Sequence, residues 1–210
     1  MLTIKPQAGK YPVPAAWEPH PPGQNCLMVP VLSGCAEWQA IEAQMKATMP
    51  ASAITKLERV QNVMLWEYYC MRKERMARLG AGQPPAEVKL WHGTSHTDPK
   101  LIYEDEADGF MMQYCRSGMW GRGLYFAQNA SYSGGAYAHT CDDGTKCVLY
   151  ASLLSGDETH VMPHNGSLVR CPDKPGGGRY DTVTGDTGGS KVYIVYENGR
   201  AYPEYLVTYR

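Results

Sequence analysis

The sequence predicts an α+β domain in which helices come first and short strands follow. Two stretches with helical spacing of apolar residues lie before residue 80. From there on, short apolar or β-branched segments alternate with turn signals. Strands that mostly do not alternate with helices are typical of antiparallel or mixed sheets, with the helices gathered mainly in the N-terminal part.

The N-terminal part begins with an expected loose tail, residues 1–12, because residues 1–25 are rich in proline and carry little periodic pattern. The apolar segment NCLMVPVL then predicts a short strand. In CAEWQAIEAQMKATM, the side chains Trp38, Ile41, Met45 and Met49 fall on one stripe, so this segment predicts an amphipathic helix.

A second and longer helix follows. AITKLERVQN fits either a strand or a helix by periodicity alone, and the sequence leaves that choice open. Asn62 can cap the helix that runs to about Leu79, since asparagine is favoured at this position. GAGQPP ends the helix.

The C-terminal part predicts strands in EVKLWH, GLYFA, KCVLYASLL and ETHVM. Two closing strands are joined by a turn at Glu197-Asn198-Gly199. Brief helices are expected in TDPKLIYEDE, with Asp98 or Thr97 as N-cap, and in NASYSGGAYA. The segment CPDKPGGGRYDTVTGDTGGS is interpreted as a flexible loop, because no strand-to-helix context supports a phosphate cradle.

Composition excludes several classes of protein. A net charge of −1 argues against a protein that coats nucleic acid or an anionic membrane. We expect no signal peptide and no membrane span, since no apolar run reaches about 18 residues. Seven cysteines without a Cys-x-x-Cys pair predict free thiols in an intracellular, reducing compartment. His160 and His164 are separated by a proline and lack a third ligand, so we expect no metal.

Chemistry is concentrated in LWHGTS, WGRGLYFAQNASYSGGAY and KVYIVY. Each motif is weak by itself: a His-Gly-Thr is usually a turn, strand tyrosines are usually core, and GRG is no dinucleotide fingerprint. In this order, the motifs make the chain resemble the catalytic domain of the PARP family of ADP-ribosyltransferases. The resemblance runs from Val13 to the C-terminus, so 13–210 is expected to be one catalytic domain. LERVQNVMLWEYY and YDTV look most like the mono-ADP-ribosylating branch.

The resemblance implies the ADP-ribosyltransferase fold, two packed antiparallel or mixed sheets with flanking helices. It also implies the roles of individual residues toward NAD, a substrate that the reaction consumes. The backbone of Gly93 and the hydroxyl of Ser133 would bind the nicotinamide carboxamide. Tyr137 would stack on the ring and Tyr125 would form another wall.

The remaining implied roles concern the ribose and the adenosine. His92 would donate to ribose hydroxyls, whereas Thr94 and Asp98 would lie at the adenosine end. With His92 and Tyr125, the third catalytic position of the family is a glutamate in its polymer-forming members, and here it is Val192. Strand alternation separates Val192 from Glu197, and Glu204 lies beyond the turn, so neither carboxylate replaces the missing one.

The function expected from this resemblance is transfer of a single ADP-ribose from NAD to protein side chains, including those of the enzyme itself. Nucleic-acid ends remain an open but less favoured acceptor. The alternative is a catalytically inactive module of the same fold that binds NAD or a partner. A third class, RNA 2′-phosphate transfer by a related fold, would need a cluster of basic residues. The basic residues of MRKERMARLG, on one helix, are too few to form it.

Overall fold

The structure, a computed structural model, describes residues 10–80 and 82–210. Four α-helices and eleven strands make up the described fold. The helices are α1 (Ala36–Lys46), α2 (Val63–Leu79), α3 (Lys100–Tyr103) and α4 (Ala130–Ala136). The strands are β1 (Cys26–Pro30), β2 (Ile54–Asn62), β3 (Glu87–His92), β4 (Ser117–Gly118), β5 (Gly121–Arg122), β6 (Leu124–Ala127), β7 (His139–Thr140), β8 (Lys146–Leu154), β9 (Val183–Thr187), β10 (Ser190–Val195) and β11 (Ala201–Tyr209).

One hydrogen-bonded path connects most of the strands in the order β1-β2-β11-β8-β3-β6-β10-β9, and β7 pairs with β8. The strands β4 and β5 form a separate two-stranded ribbon. Every pairing between these strands is antiparallel. The α+β prediction with antiparallel strands is therefore confirmed.

The long path consists of two halves that meet at a seam. Strands β3 and β6 are joined by a single residue pair, Trp91 with Ala127. Their side chains nevertheless share one core cluster, which contains Leu90 and Leu149 from the first half and Phe126 and Tyr193 from the second. The two expected sheets thus correspond to two halves that pack on each other and remain joined at the end of β3.

The predicted helices α1 and α2 are confirmed, although α1 ends at Lys46 and leaves Met49 outside the helix. Trp38, Ile41 and Met45 are the buried residues of α1. The Asn62 side chain accepts a hydrogen bond from the Leu65 backbone N–H at 3.0 Å, as expected of an N-cap. Helix α2 ends at the C-cap Gly80.

The segment whose type stayed open, residues 54–62, is a strand. It pairs with β1 on one side and β11 on the other, and Leu57 and Val60 are almost fully buried between them. Tertiary pairing decides what periodicity could not, because a central strand gains hydrogen bonds on both edges.

Two predictions in the C-terminal part are wrong. ETHVM is not a strand, since only Glu158 forms an isolated bridge, to Thr182. Strand β9 lies inside the segment interpreted as a loop. Its Gly185 is required because a Cβ there would overlap the Trp120 ring. The glycine that suggested a loop therefore serves a close packing contact inside a strand.

The predicted tail, residues 1–12, lies outside the described residues up to residue 9. The remainder contacts α2: the Tyr11 hydroxyl donates to a carboxylate oxygen of Glu74 at 2.6 Å, and Trp66 Nε1 donates to the Pro12 carbonyl at 3.0 Å. All seven cysteines are free thiols. Within 10–80 and 82–210, no helix has the length and apolarity to cross a bilayer, and no group of three metal-ligating side chains converges.

Candidate active site

His92 ends strand β3 at the seam. Its Nδ1 lies 2.8 Å from the Tyr125 carbonyl oxygen, which can only accept, so Nδ1 carries the proton. The ring packs edge-on against Phe110, with centroids 5.0 Å apart, and against Phe126 at 5.1 Å. Burial lowers the pKa of His92 below its ordinary value, against the smaller opposing effect of the Tyr125 carbonyl.

The tautomer of His92 changes its expected role. A neutral imidazole with the proton on Nδ1 presents a lone pair at Nε2. A neutral His92 with this tautomer has its acceptor at Nε2, whereas the sequence-based expectation was a donor. Phe110, which the sequence analysis did not single out, holds the ring in this position together with Phe126.

Gly93 follows β3 and lies directly against Tyr137. A Cβ on Gly93 would lie 2.7 Å from Tyr137 Cβ and closer still to the Tyr137 carbonyl. Only glycine allows this approach. The N–H and C=O of Gly93 have no hydrogen-bond partner among the described residues, so both groups are free for a ligand.

Ser133 lies on α4 and is buried, with 4% of its surface exposed. Its hydroxyl donates to the Trp91 carbonyl at 3.1 Å, one residue before His92. The helix is fixed on the sheet because the Tyr209 hydroxyl donates to the Gly134 carbonyl at 2.7 Å. As long as the Ser133 hydroxyl donates its proton to the hydrogen bond with the Trp91 carbonyl, its oxygen can act toward a ligand only as an acceptor.

Tyr137 is the C-cap of α4 and is 41% exposed, so part of its ring is open to a ligand. Its ring centroid lies 5.2 Å from that of Tyr132. Tyr132 was not singled out from the sequence, where it is one more aromatic residue in SYSGGAY. In the structure, the ring of Tyr132 packs against the ring of Tyr137.

Tyr125 is half-buried and its hydroxyl is already satisfied. The hydroxyl donates to the Gly121 carbonyl at 2.8 Å and accepts from the Trp120 N–H at 2.9 Å. Burial raises the pKa of Tyr125, which therefore remains neutral at pH 7. The ring can line a pocket, while the hydroxyl belongs to the protein's own network. Trp120, fully buried, anchors that network by donating to the Met162 and Pro163 carbonyls.

Val192 is fully buried in an apolar cluster with Trp120 and Ile194, and Tyr125 and Tyr132 pack against that cluster. Its cross-strand partner is Ala127 on β6. The predicted alternation holds, since Tyr193 and Val195 belong to the other cluster.

Neither carboxylate of the closing strands lies with Val192. Glu197 forms ion pairs with Arg72 and, at 4.0 Å, with Arg200. Glu204 forms an ion pair with Lys89 and accepts from the Ser152 hydroxyl. Both therefore have structural partners, as the sequence suggested.

Thr94 and Asp98 are used within their own loop. The Thr94 hydroxyl donates to the Thr97 carbonyl at 2.6 Å, and the exposed Asp98 accepts from the Lys100 N–H at 2.8 Å. Asp98 thus binds the first turn of α3, but the N-cap of that helix is Pro99, whereas Asp98 or Thr97 was predicted. Among the described residues, neither of these two side chains forms a hydrogen bond with His92, Gly93, Tyr125, Ser133 or Tyr137.

The antiparallel α+β architecture agrees with the ADP-ribosyltransferase fold that the sequence predicts. Residues 35–176 match the family model described as the poly(ADP-ribose) polymerase catalytic domain. The match covers more than half of the chain, and the chain belongs to this family.

Curated relatives share most of this chain. Human protein mono-ADP-ribosyltransferase PARP14 is 33% identical over 207 residues, which are 96% of this chain and 11% of that protein. Human protein mono-ADP-ribosyltransferase PARP12 is 28% identical, over 96% of this chain and 28% of its own length. Mouse protein mono-ADP-ribosyltransferase PARP11 is 25% identical, over 94% of this chain and 65% of its own length. The chain thus spans roughly a tenth to two thirds of these relatives.

Proposed function

We propose that this chain is an NAD-dependent mono-ADP-ribosyltransferase, which transfers one ADP-ribose from NAD to protein side chains and releases nicotinamide. Family membership supports NAD as the substrate. The names of PARP14, PARP12 and PARP11 support transfer of a single unit. The observation that carries the proposal is the convergence of His92, Gly93, Ser133 and Tyr137, from distant parts of the sequence, around unpartnered backbone groups.

These groups match the nicotinamide carboxamide in number and kind. The amide has one acceptor oxygen and two N–H donors. The Gly93 N–H supplies a donor for the oxygen, while the Gly93 carbonyl and the Ser133 oxygen supply two acceptors. A site with such groups rejects rings that lack the amide, because its buried polar atoms would stay unsatisfied.

The aromatic residues and His92 would hold the rest of the nicotinamide riboside. The part-exposed Tyr137 ring offers a face on which the cationic ring stacks, and Tyr125 forms a second wall. His92 Nε2 would accept from a ribose hydroxyl. Thr94 and Asp98 remain proposed contacts of the adenosine end.

The chemical step follows from this pose. The bond between the nicotinamide nitrogen and the ribose carbon breaks, and its electron pair leaves with the now neutral nicotinamide. Positive charge develops on the ribose, and the acceptor attacks that carbon with its own electron pair. The residues of this site hold and orient the reactants, which is a major source of rate acceleration.

Val192 supports a limit of one unit per site. Elongation requires a hydroxyl of a previous ADP-ribose to lose its proton, and an apolar, fully buried valine supplies no base. A carboxylate acceptor has an ordinary pKa near 4 and is already ionised at pH 7, so it needs no base. Protein carboxylates, including those of this chain, are therefore the favoured acceptors, ahead of nucleic-acid ends. Free thiols fit a reducing compartment such as the cytoplasm or nucleus.

Incubation with labelled NAD, followed by a gel and mass spectrometry, tests the proposal. We expect adducts of one ADP-ribose per site, and His92→Ala should abolish labelling without unfolding the protein. A ladder of longer products would contradict the limit set by Val192. Absence of labelling with intact binding of 3-aminobenzamide would favour the inactive binding module, and absence of both would refute the proposed function.

A further inference from the structure

Ser95 is the one non-glycine residue with a positive φ, 53°, among residues 10–80 and 82–210. Serine rarely adopts this left-handed conformation, since its Cβ approaches the carbonyl oxygen. The residue lies two positions after Gly93 and one after Thr94, so the unusual backbone adjoins the candidate nicotinamide site. Such conformations persist where surrounding contacts hold them in place.

Two contacts hold Ser95, and both come from the segment after α4. The Ser95 N–H donates to the Tyr137 carbonyl at 2.7 Å. The His139 Nδ1 donates to the Ser95 carbonyl at 3.0 Å, because a carbonyl oxygen can only accept. The left-handed conformation turns both polar groups of Ser95 toward residues 137–139.

The same stretch of backbone carries the close approach of Gly93 to Tyr137. Residues 93–95 therefore lie against residues 137–139 through three contacts, which we call the backbone clamp. His139 is itself fixed on the sheet, since β7 pairs it with Cys147 on β8. The backbone of His139 is thus held by the sheet, and its side chain reaches the Ser95 carbonyl in the loop after β3.

We propose that His139 is a positioning residue, whose imidazole holds Ser95 in the left-handed conformation and so sets the spacing between the Gly93 backbone and the Tyr137 ring. This inference rests on the proposed function, because that spacing matters if an amide and its ring are bound between the two. A nicotinamide ring held between the Gly93 backbone and the Tyr137 ring is sensitive to a misplacement of either by about 1 Å.

The test uses a matched pair of variants. In His139→Asn, the side-chain amide N–H can replace Nδ1, whereas His139→Leu keeps similar bulk without a donor. We expect His139→Leu to weaken 3-aminobenzamide binding and to raise the KM for NAD by about tenfold, the effect of one lost hydrogen bond. The value of kcat should change less, because the loss affects ground-state binding. His139→Asn should remain near wild type, and His160→Leu, at an exposed histidine, is the control.

A second substitution distinguishes positioning from general stability. Glycine accepts a positive φ without steric cost, so Ser95→Gly should restore part of the binding lost in His139→Leu. Ser95→Val should reproduce the loss with His139 intact, because a β-branched residue resists this conformation. The Ser95→Val variant also keeps the test decisive if His139→Leu fails to fold.

Hydrogen exchange of the Ser95 amide provides a readout independent of activity. The amide should exchange faster in His139→Leu than in wild type and His139→Asn. Unchanged exchange and binding in His139→Leu would overturn the inference, as would an equal loss in folded His139→Asn. If wild type itself neither binds 3-aminobenzamide nor labels, the proposed function fails, and the exchange rates alone decide whether His139 holds Ser95.

Discussion

At the scale of single residues, Gly93 and His92 differ in which of their atoms face the candidate site. Gly93 contributes only its backbone, and its identity is fixed by the nearness of Tyr137. In neutral His92, the carbonyl of Tyr125 determines which ring nitrogen keeps its lone pair. The residue types therefore indicate where the candidate site lies. The neighbouring groups determine which atom faces a ligand and in which protonation state.

Gly93→Ala should destroy the site without unfolding the protein. Its methyl group would displace the Tyr137 backbone, and a misplacement of about 1 Å can cost a hundredfold in rate. NAD-dependent labelling should therefore fall by about that factor, measured on folded protein. Gly135→Ala is the matched control, since a Cβ at that helical position meets nothing within 4 Å. Equal labelling by both variants would show that the approach of Gly93 is unimportant.

The pKa of His92 predicts how binding changes with pH. Because burial lowers that pKa, His92 stays neutral above about pH 6.5 and becomes protonated only at lower pH. The unfolded chain then binds more protons than the folded one, so this group makes the free energy of unfolding fall as pH drops below 6.5. Affinity for a non-hydrolysable NAD analogue should fall at lower pH still, where His92 of the folded protein gains a proton and Nε2 loses its lone pair.

The matched ligand for this measurement is 3-aminobenzamide, which lacks a ribose. Its affinity should vary less than that of the NAD analogue over the range in which the folded protein persists. A parallel decline for both ligands would indicate that protonation disturbs the whole site. Constant affinity of the NAD analogue through the pH range in which His92 of the folded protein gains its proton would contradict the role of Nε2.

At the scale of elements, β10 illustrates how strand alternation places neighbouring side chains in two different clusters. Val192 and Ile194 belong to one apolar cluster, and Tyr193 and Val195 belong to the other. Both faces of this strand are buried, because each packs into one of these two clusters, while β6 and β9 pair with its two edges. A carboxylate at Val192 would therefore enter a desolvated environment.

Val192→Glu should destabilise the protein without producing a polymerase. An unpaired buried carboxylate costs roughly 3 kcal/mol or more in the free energy of unfolding. Its pKa would be raised, so the loss should grow as pH rises from 5 to 8, as chemical denaturation at both pH values can measure. Val192→Thr, of equal shape and without charge, is the control and should show no such pH dependence. A folded Val192→Glu that makes chains of several units would contradict this prediction.

At the scale of the whole molecule, the site joins the two halves of the sheet. His92 belongs to β3 in the first half, and Tyr125 belongs to β6 in the second. The halves share only one ladder pair at this seam, so a ligand there adds contacts between them. Binding to the folded state alone stabilises the molecule as a whole.

We expect 3-aminobenzamide at a hundred times its Kd to raise Tm by about 5 to 10 °C, which corresponds to about 2.7 kcal/mol for a domain of this size. Tyr137→Ala should abolish the shift, since the stacking surface is lost. Leu32→Ala, at a side chain that is 77% exposed, should keep it. A full shift in Tyr137→Ala would place the ligand elsewhere.

The sequence alone was sufficient for the features that depend on local pattern. The stripe of α1, the Asn62 cap, the closing strands and the alternation around Val192 all follow from periodicity and capping, which are properties of neighbouring residues. The ordered motifs also indicated the family and most of the residues that converge at the seam.

Tertiary structure decided what depends on distant neighbours. Residues 54–62 became a strand because β1 and β11 pair with them, and β9 was hidden because Gly185 resembles a loop glycine until Trp120 packs on it. The proton on His92 Nδ1 is placed by the Tyr125 carbonyl, and the Ser95 carbonyl accepts from His139, a residue 44 positions away in the chain. Hydrogen bonds and close contacts between residues far apart in the chain leave no pattern in a single sequence, so only the folded molecule determines them.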